Sequence, residues 1–303
     1  MHGVSSMKPS FECLRCLLTI RLREVENSRA SSEEKLETAR RVLSLAESSF
    51  GYEAELTHLA TDLYNTLTTL LPSVVDYYKK VKRELNELAI RSLGLHQDYA
   101  TGLDGPSRFR YLVKLSALGN LIDLGVAGHN HINPEALTPG LVEGYEFCID
   151  DTVELYEAVS RGGLRVLWLF DNAGEAVYDT LLIREVKRYG NTVWGLVKDE
   201  PGFQNDVTIE DAALIGLDRV LDRVASYGCR CSTVHLEKLG DEARRLVKEA
   251  DVVVAKGMSH YEYLSEVDLG KQVFFILIPK CPPVARSLGD PKCQGKIVVL
   301  RKE

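Results

Sequence analysis

The 303-residue sequence has no apolar run long enough to cross a lipid bilayer. Its strongest run, Val273 to Pro279, has the length of one β-strand, whereas a membrane-spanning helix needs about 20 apolar residues. The first ten residues also lack the basic segment and apolar stretch of a secretion signal. Positive charge is not in excess either, because the formal net charge is -7. We therefore expect a cytoplasmic protein that binds neither membranes nor nucleic acids in general. The oligomeric state is left open.

Motifs of several common enzyme classes are also missing. The absence of a GxxxxGK[ST] loop argues against a P-loop NTPase. No GxGxxG follows any strand-like run, which argues against a dinucleotide or methyl-donor site. Neither a GxSxG elbow nor an HExxH motif is present, so an α/β-hydrolase and a zincin are disfavoured.

Cysteine is present in an odd number, seven, which does not fit the framework of a small secreted scaffold. Cys13 and Cys16 form a CxxC pair, and Cys229 and Cys231 form a CxC pair. A structural zinc site needs about four ligands, and one CxxC supplies two. The role of Cys13 and Cys16 stays open between ordinary thiols and a disulfide or metal clip.

Apolar residues three and four positions apart predict helices in the first third of the chain. Lys82 and Asn86 share a face of the third of these helices, where such polar pairs are usually solvated. The predicted helices are Ser31 to Glu47, Tyr52 to Leu71, Asp76 to Leu93 and Arg108 to Asn120.

Short apolar runs dominate the second half and alternate with helical segments. Buried strands separated by helices indicate a parallel sheet covered on both faces. We therefore predict a three-layer α/β domain over residues 139–303 and a mostly helical domain over residues 1–138, with residues 119–140 assignable to either. The apolar runs end at Phe170, Val197, Ala255, Ile278 and Leu300.

Paired Asp and Asn residues follow two of these strands. Asp171 and Asn172 come directly after the first strand, and Asn205 and Asp206 follow the loop after the second. Ligand sites of open parallel sheets lie beyond the carboxyl ends of the strands. Each pair on its own is also typical of a helix N-cap. Two such pairs at one edge favour a divalent cation held by hard oxygen ligands.

Other polar residues near the predicted edge have two interpretations each. Lys256, before Gly257, is placed to meet a phosphate or is an exposed lysine at a strand end. His260 is a candidate general acid or base, or a solvated loop histidine. Asn120 and Asp123 lie one helical turn apart and either reach one ligand together or mark the end of a helix.

The segments FDNAGE, NDVTIEDA, AKGMSHYE and GNLIDLG, together with CLRC, resemble the metal-dependent damage-control phosphatases, in their archaeal-type branch. The similarity runs from Cys13 to Cys281, and DN at the first strand exit with PxxxND at the second is its most specific part. The sequence departs from the family pattern at Tyr77, where a proline is more usual. It departs again at Ser259 and His260, where a glycine and a polar residue are more usual.

The resemblance implies a Rossmann-like α/β/α domain packed against a mostly helical N-terminal domain. It implies that Asp171, Asn172 and Asp206 bind Mn²⁺, Ni²⁺, Co²⁺ or Mg²⁺, and that Lys256 contacts phosphate. The implied substrates are small phosphorylated metabolites such as sugar phosphates and damaged nucleotides or their intermediates. Asp171 and Lys256 are the expected catalytic residues, and the expected substrate contacts come from Asn120, Asp123, Asn205 and Lys256.

The expected reaction is hydrolysis of a phosphate ester by metal-activated water. Attack by Asp171 itself is the alternative, but such nucleophiles usually have a second Asp two residues later, where this chain has Ala173. Two other functions compete. An S-adenosylmethionine-dependent carboxyl methyltransferase is disfavoured by the missing glycine motif. A non-enzymatic metal or nucleotide sensor is disfavoured because the candidate residues surround an open edge.

Overall fold

The computed structural model describes residues 7–122 and 133–303. Its first part consists of five helices that are separated by short turns. A capping box starts the second helix, because the Ser31 hydroxyl accepts from Glu34 N and the Glu34 carboxylate accepts from Ser31 N. All four helices predicted from apolar spacing are present. The five helices are α1 (Phe11–Asn27), α2 (Ser32–Ser49), α3 (Leu56–Leu70), α4 (Ser73–Thr101) and α5 (Gly105–Gly119).

The first three helices and α5 pack into two different hydrophobic cores. Helices α1, α2 and α3 share a small core that contains Val42 and Leu63. Helix α5 instead buries Phe109 in the same core as the sheet residues Val166 and Trp168. The domain boundary between residues 138 and 139 stays a prediction. Helix α5 precedes that boundary in the chain but contributes to the core of the α/β part.

Seven strands form one sheet, which explains the apolar runs of the second half. Their order is β1-β7-β6-β5-β2-β3-β4, and every neighbouring pair is parallel except β6 and β7. Strand β7 lies beside β6 and runs in the opposite direction, and β1 is parallel to β7. The expectation of a parallel sheet therefore fails for β1 and β7. The strands are β1 (Phe147–Asp150), β2 (Arg165–Leu169), β3 (Thr192–Val197), β4 (Arg223–Ser226), β5 (Val252–Lys256), β6 (Gln272–Leu277) and β7 (Ile297–Lys302).

Helices cover both faces of the sheet. Trp168 of β2 contributes to the core under α5 and α8 (Glu175–Arg188), while Leu167 and Leu169 contribute to the core under α11 (Asp241–Glu249) and α12 (Gly257–Leu264). Alternate residues of one strand therefore fill opposite layers, and the predicted α/β/α architecture is confirmed. The helices of this part are α6 (Pro139–Gly144), α7 (Thr152–Ser160), α8 (Glu175–Arg188), α9 (Ile209–Leu214), α10 (Leu217–Val220), α11 (Asp241–Glu249), α12 (Gly257–Leu264) and α13 (Pro282–Ser287).

Four cysteines form two disulfide bonds, Cys148–Cys293 and Cys229–Cys231. Cys13, Cys16 and Cys281 are not disulfide-bonded. The CxxC pair is therefore not bridged in this structure, whereas the CxC pair is. Across residues 7–122 and 133–303, no helix has both the length and the apolar character needed to cross a bilayer.

Candidate active site

The carboxyl ends of β2 and β3 bring Asp171, Asn172 and Asp206 together. Asn172 and Asp206 form an isolated antiparallel bridge, and Val207 N donates to Asp171 O at 2.9 Å. These backbone contacts hold the two strand exits side by side, as the sequence predicts for a site at this edge of the sheet.

The three side chains offer a donor set that suits a divalent cation. They present two carboxylates and one amide oxygen, the hard oxygen ligands that Mg²⁺ and Mn²⁺ prefer. Asn205 Nδ2 donates to Asn172 Oδ1 at 3.0 Å, which fixes the orientation of that amide. Gly257, at a φ of +78°, packs so tightly against Asp171 that a Cβ atom there would collide with the carboxylate. The geometry around Asp171 therefore requires glycine at this position.

Two of the expected substrate contacts, Asn120 and Asn205, donate hydrogen bonds to the side chains of Asp171 and Asn172. Asn120 Nδ2 donates to Asp171 Oδ2 at 2.8 Å and to Glu175 Oε2 at 3.1 Å. Asn205 is fully buried, and its Oδ1 has no hydrogen-bond partner among the described residues. The structure thus places both residues at the site, where they orient Asp171 and Asn172. Asp123 lies outside the described residues.

Lys256 lies in the protein interior, which corrects both sequence interpretations of this residue. Its fully buried Nζ donates to Ser116 O, Asp179 Oδ1 and Glu175 Oε1, so all three N–H bonds are used within the protein. Burial acts to lower the pKa of Lys256, but the carboxylates of Asp179 and Glu175 outweigh it and raise this pKa. Lys256 reaches the site indirectly, because Glu175 Oε2 accepts from Asn120 and Asn172.

Lys198 is a buried cation beside the carboxylate of Asp206, and the sequence patterns did not single it out. It follows β3, with Nζ 3.4 Å from Asp206 Oδ2 and donating to Ser232 O at 2.6 Å. Burial lowers the pKa of Lys198, and the carboxylates of Asp206 and Asp171 oppose this effect. The signal that would have found it is its position directly after a strand that delivers a ligand.

Helix α4 contacts both ligand-bearing loops, so the expectation that Lys82 and Asn86 are solvated is wrong. Gly174 N donates to Asn86 Oδ1 at 2.7 Å. Lys82 Nζ donates to Asp211 Oδ2 and, at 3.3 Å, to Thr208 Oγ1. Both side chains are buried because α4 crosses the two strand exits.

His260 matches neither of its two sequence interpretations. It is fully buried, with Nδ1 2.7 Å from Lys256 O and Nε2 2.5 Å from the Tyr227 hydroxyl. Burial lowers the pKa of His260 well below its usual value. A histidine held neutral by burial at the start of α12 connects this helix to Tyr227 and does not reach the edge of the site.

An open cavity of about 400 Å³ is lined by the three candidate ligands, Asp171, Asn172 and Asp206. Arg15 and Cys16 of α1 also line the cavity, as does Lys280. The site is therefore accessible to a small molecule and carries basic residues beyond the ligand carboxylates.

Comparison with known proteins gives consistent matches over most of the chain. The model of the damage-control phosphatase ARMT1-like domain matches residues 10–294. A damage-control phosphatase from Archaeoglobus fulgidus is 39% identical over 235 residues, which cover 77% of this chain and 78% of that protein. A damage-control phosphatase from Pyrococcus horikoshii is 30% identical over 310 residues, which cover 98% and 99% of the two chains.

A solved structure agrees with the sequence matches. The crystal structure of a DUF89 family protein from Pyrococcus horikoshii superposes with a TM-score of 0.81 at 29% sequence identity. The superposition covers 98% of this chain and 100% of the other. The similarity therefore includes both the N-terminal helices and the α/β layers.

Proposed function

We propose, from the premise that this chain belongs to the damage-control phosphatase ARMT1-like family, that Asp171, Asn172 and Asp206 hold the divalent cation of a phosphatase site. Family membership confirms the predicted enzyme class, so the chain is a phosphatase of metabolite damage control. The methyltransferase and sensor alternatives are set aside on the same ground.

One observation carries the proposal about the site. Two carboxylates and an amide from neighbouring strand exits converge and line an open cavity. The family is metal-dependent, and we propose Mn²⁺, Ni²⁺, Co²⁺ or Mg²⁺ as the ion. When bound, such an ion would supply the Lewis acidity that lowers the pKa of water and balances phosphate charge.

The surrounding residues position the ligands and compensate charge. Asn120 holds Asp171 through its amide, and Glu175 holds the amides of Asn120 and Asn172 in turn. Lys256 neutralises Glu175 and is therefore a positioning residue. Lys198 is the cation placed to offset charge that develops on a phosphoryl group beside Asp206. The N-terminus of α8 adds a favourable dipole at the same edge.

Attack by water is favoured over attack by Asp171. Residue Ala173 is buried and has no proton to donate or accept, so Asp171 lacks the acid–base partner that an aspartyl-phosphate mechanism uses. The Asp171 carboxylate is also held by the amides of Asn120 and Asn172, which suits a ligand with a fixed position.

The cavity supports a small phosphorylated metabolite as the substrate. Its volume of about 400 Å³ accommodates a sugar phosphate or a damaged nucleotide, and Arg15 and Lys280 provide charge for further anionic groups. We propose action on such metabolites in the cytoplasm, without a role in nucleic-acid binding.

The test is hydrolysis of an aryl phosphate by metal-stripped protein with Mg²⁺, Mn²⁺, Co²⁺ or Ni²⁺ added back. Activity is expected to return with metal, and to be lost in Asp171→Asn but not in Asp218→Asn, which changes an exposed carboxylate on α10. Metal-restored activity that survives in Asp171→Asn and in Asp206→Asn would place the reaction elsewhere.

A further inference from the structure

A compact group of two histidines and a glutamate lies outside the proposed active site. His58 is on α3, and His235 and Glu237 belong to the segment between β4 and α11. One ligand atom from each lies within 4.8 Å of the others. The imidazole rings of His58 and His235 stack with their centroids 3.8 Å apart. This group differs from the proposed active site in offering ring nitrogens.

His235 Nε2 lies at hydrogen-bonding distance from an oxygen, 3.0 Å from Thr57 Oγ1, as the second nitrogen of a metal-binding histidine commonly does. His58 Nδ1 lies 2.6 Å from Glu55 Oε2, an ion-pair distance without hydrogen-bond geometry, so this nitrogen has a carboxylate beside it but no hydrogen-bond partner among the described residues. If both nitrogens donate, the lone pairs that are left belong to His58 Nε2 and His235 Nδ1. The first of these is already 2.7 Å from Glu237 Oε1.

A second, independent observation points to an absent ligand at His235. The residue is fully buried, and its Nδ1 has no hydrogen-bond partner among the described residues. An unsatisfied buried nitrogen is unfavourable, and few such atoms occur in folded proteins. Burial, together with the nearby His58, lowers the pKa of His235 to about 3.

We propose that His58, His235 and Glu237 form a second metal site for a divalent transition ion such as Zn²⁺, Co²⁺ or Ni²⁺. Imidazole ligands favour these ions over Mg²⁺. Four-coordinate zinc needs ligand atoms about 3.4 Å apart. Glu237 has the freedom to close on the ion because its side chain is 53% exposed. The Tyr263 hydroxyl, which donates to Glu237 Oε2 at 3.2 Å, limits the directions that this carboxylate can take.

The ion would connect two distant parts of the chain. His58 and Glu237 are 179 positions apart, and the segment that carries Glu237 also contains Ser232. The Ser232 carbonyl accepts from Lys198 Nζ, and its hydroxyl donates to Thr57 O. Occupation of the second site therefore orders the segment that holds Lys198 in place.

The test is titration with Co²⁺ and with Zn²⁺ of the full chain carrying Asp171→Asn and Asp206→Asn, which removes the proposed active-site ligands. We expect one equivalent of Co²⁺ to bind with the visible absorption of nitrogen ligation. We also expect His58→Ala or Glu237→Ala to weaken that binding at least tenfold, and Glu55→Ala to weaken it about tenfold by releasing the His58 ring. Glu242→Ala is the matched control, because this carboxylate is 52% exposed and has a cationic partner, Arg223, that belongs to no candidate metal site. It should leave the affinity unchanged.

Two results would overturn the second site. One is the absence of saturable Co²⁺ or Zn²⁺ binding up to millimolar concentration in the folded double variant. The other is equal affinity in His58→Ala, Glu237→Ala and Glu242→Ala. If the double variant does not fold, the same count is made on the otherwise unchanged chain, where His58→Ala should reduce the number of bound Zn²⁺ ions by one. An unchanged number would reject the proposal. Phosphatase activity is not the readout, so this outcome is separate from the test of the active site.

Discussion

Replacing Gly257 by alanine tests whether the position of Asp171 governs the reaction. The added Cβ would collide with the Asp171 carboxylate, whereas ordinary contact begins at 3.4 Å. The carboxylate must therefore move by more than about 1 Å, a displacement of the size that costs roughly 10²-fold in rate. Such a loss corresponds to about 2.7 kcal/mol of transition-state stabilisation. The positive φ of +78° adds about 1–2 kcal/mol of backbone strain to the folded state.

The assay is metal-dependent hydrolysis of an aryl phosphate, with the free energy of unfolding measured on the same samples. Gly163→Ala is the matched control, because Gly163 also has a φ of +78° but a Cβ atom at that position would meet nothing within 4 Å. Both variants should lose the stability that the positive φ costs, Gly257→Ala should lose more because of the collision, and only Gly257→Ala should lose activity. A Gly257→Ala protein with kcat/KM within about threefold of the parent would refute the reasoning. Equal losses of activity in both variants would do the same.

Three further outcomes follow from buried groups. Lys256→Met should destabilise the protein by about 3–5 kcal/mol in chemical denaturation, because it leaves two buried carboxylates without their cation. A loss of stability below about 1 kcal/mol would contradict this pairing. Asn86→Ala should cost about 1–3 kcal/mol in the same assay, since Gly174 N loses its acceptor, and it should also lower activity. Burial depresses the pKa of His235 from 6.5 to about 3, so the unfolded chain binds more protons between these values. The free energy of unfolding should therefore fall as the pH decreases from 6.5 towards 3, and His235→Asn should flatten that slope. An unchanged slope in the variant would contradict the depressed pKa of His235.

The convergence of Asp171, Asn172 and Asp206 at one edge of the sheet could be predicted from the sequence because its signal is local. Asp171 and Asn172 directly follow an apolar strand, and Asp206 follows the loop after the next strand. Parallel strands place such residues at one edge of the sheet whatever the rest of the chain does. The layered fold could be predicted from local patterns as well, because fully apolar runs identify strands that are buried on both faces.

The roles of the lysines and of His260 could not be predicted in this way. Lys256 is buried because Glu175 and Asp179, 81 and 77 positions away, neutralise it. Lys82 depends on Asp211, which is 129 positions away. Whether a charge is buried or solvated is decided by partners that sequence spacing does not reveal.

The edge strands were missed for a different reason. Strands β1 and β4 have only four residues each and lie at the two ends of the sheet. Edge strands are commonly short and carry charged residues, so they lack the apolar run that marks a central strand.

The contacts of α4 with both strand exits have a consequence for ion preference. Because Asn86 and Lys82 project from one rigid helix, a tilt of α4 carries both loops in the same direction, and the gap between Asp171 and Asp206 changes little. Cations of different radius need different gaps, and Mg²⁺ tolerates the least deviation. Only a substitution that alters one of these two contacts without the other would change the gap, and with it the ion preference of the proposed site, without replacing any proposed ligand.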